Sequence, residues 1–288
     1  MRTTLVGWKN GPWIRPAALW LDAPPVGRGL RFVSSCLARA GRRPDRVLAT
    51  PFTGRYHFGA DRPFLTAPEG EPIRLGAAEV RLLPAGVTHG AAQLHFRSDD
   101  GTLLYTVGRR LSGTSLAPAA RLVPADIWLL RMDAPPGDGP PWLRWMEMLS
   151  EHVRGGAVRA LRVAHPWLGA ELSAGLDGGD GGAPRLDVQA RRMLRWNRAG
   201  GPLAADAEGP RILFGDAGPE EVILVGDRGE ESIPVPGAPT LLEIREALEM
   251  VGAREVLFTG AGAPSWANAM AGIGLPARIL GVGPRRLL

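Results

Sequence analysis

Short apolar runs alternate along this chain with polar, glycine- or proline-rich breaks, and two periods can be read in them. In the first half the period is mostly two, as in strands exposed on one face. Thr3–Gly7, Ala18–Asp22, Arg46–Thr50, Glu79–Leu83, Ala92–Phe96 and Leu103–Val107 are predicted strands, the last after the turn Asp99-Asp100-Gly101. Ile127–Met132 is continuously apolar and predicts a strand buried on both faces. Leu30, Phe32, Val33, Cys36 and Leu37 suit an amphipathic helix over Arg28–Ala40, with Gly41 as its C-terminal stop.

Asp133–Pro141 is a proline- and glycine-rich break and the best boundary in the chain. Beyond it the helical period appears at Trp142–Val153, Pro166–Leu176, Val188–Trp196, Thr240–Val251 and Ser265–Ala271. Strands are predicted at Val158–Val163, Arg211–Phe214, Glu221–Val225, Glu255–Thr259 and Ala277–Leu280, and Asp177–Pro184 is a glycine-rich loop. A strand-rich first half followed by alternating helices and strands predicts an α+β protein: a two-sheet sandwich flanked by helices, with an inserted α/β segment.

The chain has 288 residues and is 45% hydrophobic, enough for one large core or two smaller ones. No apolar run reaches the length of a membrane span, and no signal peptide is visible, so the expected location is cytoplasmic with no membrane partner. Cys36, the single cysteine, lies in an apolar context and is expected to be a buried, inert thiol. The formal net charge is +5, and Lys9 is the only lysine. Arginine richness beside abundant Ala, Gly and Pro also follows from GC-rich coding, so charge favours a nucleic-acid partner only modestly. Its clustering says more. Arg191, Arg192, Arg195 and Arg198 bracket Trp196 on and just beyond one predicted helix, a candidate surface for DNA or RNA in which arginines meet phosphates and the indole stacks on a base. A solvated charged helix is the commoner outcome of that pattern.

The segment Pro84-Ala85-Gly86-Val87-Thr88-His89-Gly90-Ala91-Ala92-Gln93 has the shape of a loop that ordinarily reads Pro-Ala-Gly-His-x-x-Gly-Ser-Ala-Gln. With Leu104-Tyr105-Thr106, Pro124–Leu130 and the tail from Leu242, it resembles the metallo-β-lactamase-fold nucleases of the β-CASP group, above all the bacterial exonucleases associated with DNA ligase. The resemblance implies a metallo-β-lactamase-like αββα sandwich at 1–140 and 231–288, with a reduced β-CASP-like insertion at 141–230.

In active members of that family, two metal ions held by histidines and carboxylates activate a water. The resemblance puts Pro51, Thr53, Arg55 and Tyr56 at the positions of the first ligand motif. Val87 stands at the loop histidine, Gly108 at the bridging aspartate and Arg131 at the later glutamate. Pro234 and Gly260 stand at the last two positions. None of these side chains is an ordinary metal ligand, and two are cationic. The expectation is therefore no bound metal, no cofactor and no catalytic residue: a catalytically inactive homologue serving as a non-catalytic subunit or partner-binding module in nucleic-acid processing. Its expected protein partner is an active nuclease paralogue or a processing complex involved in DNA repair or related work. Two alternatives stay open: a nucleic-acid-binding protein, or a metal-dependent hydrolase with a site rebuilt from His57, His89 and Asp126 beside Tyr105. Gly260-Ala261-Gly262 faintly resembles a dinucleotide fingerprint, but a tight turn is the plainer reading.

Overall fold

The computed structural model describes residues 5–38, 40–41, 44–59, 62–108, 110–140, 142–154, 158–163, 166–176, 185–186, 211–214, 221–226, 229–235 and 238–281. The fold is α+β, with strands in three sheets and five α-helices among the described residues. The chain divides into two compact units: 1–111 with 119–138 and 238–288, and 112–118 with 139–237.

The first unit holds two sheets. Strands β1 (Val6–Trp8), β2 (Pro12–Ile14), β3 (Leu19–Leu21), β4 (Leu30–Phe32) and β5 (Val47–Leu48) follow one another in order, with β3, β4 and β5 parallel. The larger sheet runs β17 (Arg278–Ile279), β16 (Glu255–Thr259), β10 (Ile127–Arg131), β9 (Gly101–Val107), β8 (Ala92–Ser98), β7 (Ala78–Pro84), β6 (Pro72–Leu75). Its β6–β9 half is antiparallel, and β9, β10, β16 and β17 are parallel.

Alternation decides which side chains meet between the sheets. Leu103, Tyr105 and Val107 of β9 turn inward against Leu19, Leu21, Phe32 and Leu48. Leu104 turns outward and packs with Trp128, Leu130 and Phe258 under α4 (Leu241–Val251) and α5 (Ala263–Gly272). Thr240 caps α4 and shares a reciprocal capping box with Glu243, and Gly252 ends the helix at φ 61°.

The expected helix over Arg28–Ala40 is not formed. Residues 30–32 are β4, paired in parallel with β3 and β5. Phe32 is fully buried between the sheets while Arg31 points to the opposite face, the period of a strand. Three-residue β4 is too short for the alternation to outweigh a chance helical spacing, and its sheet neighbours decide its form. Gly41 does have a positive φ of 82°, but no helix precedes it among the described residues.

In the second unit, α2 (Trp142–Arg154) and α3 (Pro166–Gly175) share a core with Leu161, Val163, Ile212 and Val222 of a sheet ordered β12 (Arg185–Leu186), β13 (Arg211–Phe214), β11 (Val158–Val163), β14 (Glu221–Gly226), β15 (Gly229–Pro234). Buried Glu171 of α3 holds segment 112–118 to this unit. Its carboxylate accepts from Thr114 Oγ1 at 2.7 Å and from the Leu116 amide at 2.9 Å. No helix among the described residues is long and apolar enough to cross a membrane.

Candidate functional site

Parallel strands end together, and in the first unit the ends of β3, β4, β5, β9, β10 and β16 carry most of the positions marked by the sequence. Gly108 follows β9, and its amide donates to the Arg131 carbonyl at the end of β10 at 2.9 Å. Gly260 follows β16 at φ 96°, and a Cβ there would lie 2.4 Å from the Met132 carbonyl oxygen. A Cβ on Gly262 would lie 2.1 Å from the Ala134 carbonyl oxygen. The two glycines thus let the β16–α5 turn close against 132–134, which is the tight-turn reading of that motif.

Pro51, Thr53, Arg55 and Tyr56 lie on α1 (Pro51–Phe58), directly after β5. Thr50 caps this helix, accepting from the Thr53 amide at 3.2 Å. The Thr50 and Thr53 hydroxyls both donate to the Gly90 carbonyl, at 2.6 and 2.9 Å, and so tie α1 to the loop bearing Val87. Val87 is buried with Ala85, Ala91 and Leu37, an apolar plug at a position where the resemblance has a metal-binding imidazole. Pro234 lies on β15 in the second unit. Arg191, Arg192, Arg195, Trp196 and Arg198 lie outside the described residues.

The charged centre of this edge is Asp22, immediately after β3. Its side chain is 1% exposed. Oδ1 accepts from the Ser34 amide at 2.8 Å; Oδ2 accepts from Ser34 Oγ at 2.6 Å and from the Tyr105 hydroxyl at 2.9 Å. Arg131 Nη1 lies 3.9 Å from the same Oδ2, and Arg131 Nε lies 3.1 Å from Asp133 Oδ2. Burial works against the Arg131 charge, but the carboxylates of Asp22 and Asp133 outweigh it and hold the guanidinium above the ordinary arginine range. Burial and the neighbouring Asp22 raise the Tyr105 phenol well above its usual value. The arrangement is thus a carboxylate supplied with three hydrogen bonds and a guanidinium, with Tyr105 kept as a neutral donor.

His57 of α1 faces the Ser35 carbonyl at 3.1 Å. A carbonyl only accepts, so Nε2 carries the proton. Burial lowers the His57 pKa, against the pull of the Ser35 carbonyl and Asp22, so the ring is neutral near neutral pH. His89 meets the Phe52 ring edge to face, with centroids 4.7 Å apart. Cys36 is buried, with its sulfur 3.8 Å from Thr88 Oγ1.

Asp126 does not join this group. It precedes β10, whereas Arg131 ends it, and five strand residues span roughly 16 Å. Its carboxylate instead accepts from the Thr102 amide and hydroxyl at 2.9 and 2.8 Å at the opposite sheet edge. The trio His57, His89 and Asp126 is therefore not a site. Among the described residues, no three His, Cys, Asp or Glu side chains are placed to hold a metal ion. Sequence reasoning noted Asp22 only as the end of a strand and passed over Ser34. No local motif marks this pair, because β3 and β4 meet across an intervening loop.

No protein-family model matches this chain, and no curated protein matches it. A solved structure of a protein of unknown function from Enterococcus faecalis V583 is 11% identical and superposes with a TM-score of 0.58 over 87% of this chain and 79% of that one. That likeness concerns the fold alone. A mutant of the CmlA beta-hydroxylase is 11% identical at a TM-score of 0.34, over 81% of this chain and 38% of that one.

Proposed function

We propose that this protein is a catalytically inactive member of the metallo-β-lactamase-fold group, with a reduced β-CASP-like insertion, acting as a non-catalytic subunit in a nucleic-acid-processing assembly. The observation that carries the reading is Arg131. Where the sequence resemblance has a metal-binding carboxylate, a guanidinium is tied to the buried Asp22 and to Asp133. A unit charge about 4 Å from another costs or gains roughly 4 kcal/mol at an effective dielectric of 20, and more for a divalent ion. A cation at this edge would meet that repulsion and would find Asp22 already committed to Ser34, Tyr105 and Arg131. Val87 and Thr53, both buried, supply no imidazole in its place. At these sheet ends Asp22, Arg131, Thr53 and Val87 are engaged in hydrogen bonds, ion pairs and apolar contacts with one another's neighbours, which suits a scaffold recognised by its surface.

The test is a nuclease assay of the purified chain on single- and double-stranded DNA and RNA with added Mn²⁺ or Zn²⁺. The reading expects no cleavage above a no-protein control, and expects a nuclease to be present in stoichiometric amount in the native complex. Cleavage that disappears in His89→Ala or Asp22→Asn would reject it.

A further inference from the structure

The face of β4 turned away from the inter-sheet core holds a second buried guanidinium, within electrostatic reach of Asp22 and Arg131 but hydrogen-bonded to neither. Arg31 is only 6% exposed, and its Nε is buried with no hydrogen-bond partner among the described residues. Leaving a charged donor unmet in the interior is costly, so a native protein keeps such a group where something else completes it. Arg31 lines a cavity of about 420 Å³ that is also lined by Arg46 and Gly41. A Cβ at Gly41 would lie 2.8 Å from Arg31 Nη1, so the missing side chain leaves the guanidinium its room. Arg46 is fixed at the rim by donating from Nη1 to the Gly27 carbonyl at 3.0 Å. Among the described residues its ion-pair partner is Asp45, 4.0 Å away and largely exposed. Pro24, Pro25 and Val47 supply apolar wall.

Asp22 bears on Arg31 electrostatically, but its oxygens are taken up by Ser34, Tyr105 and Arg131. Burial lowers the Arg31 pKa, and an anion in the cavity would reverse that cost.

From this geometry we propose that the cavity between Arg31 and Arg46 binds a phosphate monoester carrying a small apolar or ring-shaped body. Two guanidinium groups match a dianion in charge and offer paired N–H donors to its oxygens. The volume lies in the range of small-molecule sites and exceeds what a bare phosphate fills, and the prolines and Val47 face the remainder. This site is independent of the proposed loss of metal chemistry.

The experiment is calorimetric titration of the full chain with phenyl phosphate, inorganic phosphate and benzoate, together with thermal melts. Phenyl phosphate is expected to bind with a Kd of about 1 mM or tighter and to raise the Tm. Inorganic phosphate should bind more weakly. Arg31→Met removes a buried charge whose Nε has no hydrogen-bond partner among the described residues, and is expected to fold with an unchanged or higher Tm while losing phenyl phosphate binding. Arg46→Gln, at the rim, should weaken binding at least about tenfold without changing the fold. Three results would overturn the proposal: no heat with phenyl phosphate up to about 10 mM, binding that survives both substitutions, or binding of benzoate alone.

Discussion

The Tyr105 hydroxyl donates to Asp22 Oδ2 at 2.9 Å, joining the middle of the larger sheet to the end of β3 in the smaller one. Tyr105 is fully buried and its ring meets Phe32 edge to face, so one side chain supplies both core packing and the polar contact that fixes Asp22. Tyr105→Phe keeps the packing and removes the hydrogen bond. The expected loss is about 1.5–3 kcal/mol, as for a bond to a charged group. Urea unfolding checks it, with an unchanged slope showing that the core is intact.

The tie between α1 and the Val87 loop rests on two hydroxyls sharing the Gly90 carbonyl. Thr53→Val leaves the Thr50 bond in place and should cost about 1 kcal/mol. Thr50→Val alone also removes the α1 cap, but only the double variant leaves the Gly90 carbonyl unmet, so it should lose more than the sum of the two single ones. A double-mutant cycle from denaturant unfolding measures the coupling. Strict additivity would show that the carbonyl is met some other way.

Gly260 has φ 96° and lies within reach of the Met132 carbonyl. Gly260→Ala is expected to destabilise the first unit by about 2 kcal/mol or more, from the left-handed backbone together with the steric clash. Gly252→Ala serves as the control: its φ is 61° but a Cβ there meets nothing within 4 Å, so only the backbone cost of about 1 kcal/mol remains. Melting temperatures of the two variants separate the contributions.

Two half-buried histidines give the fold a pH dependence whose sign follows from their burial. Burial lowers the pKa of both His57 and His95 from the ordinary value of 6.5. The unfolded chain therefore takes up protons at these sites before the folded one does. Their contribution to stability is fully present above about pH 6.5. It is lost as the pH falls through the depressed folded values. Denaturant midpoints measured from pH 8 to pH 5 should fall on the acid side. Replacing His57 with Gln should flatten part of that fall.

The long, well-separated elements could be read from the sequence because their pattern is local. Ile127–Arg131 is a strand buried on both faces as expected, Leu103–Val107 is a strand but buried on both faces rather than one, and Thr240 begins a helix that Gly252 ends. The short strands of the smaller sheet were harder. Pro12–Ile14 has three residues, and β4 was hidden inside a spacing that also fits a helix. That misreading concealed Arg31, because a helical register does not show that Arg31 and Phe32 point to opposite faces. Asp22 and Ser34 meet only because β3 and β4 run parallel across a loop, and Tyr105 reaches them across 83 residues. No sequence window contains such a site. Val87, Gly108 and Arg131 were marked in the sequence only by the resemblance, and the ion pair from Arg131 to Asp22 needed the fold.

The central claim is that the Asp22–Arg131 edge leaves no room for the pair of divalent ions that active members of the resembled family hold. Elemental analysis of the purified chain after saturation with Zn²⁺ and with Mn²⁺ and gel filtration tests it directly. The expected result is well below one equivalent of either metal, unchanged in Asp22→Asn. Two retained equivalents per chain, lost in that variant, would contradict it.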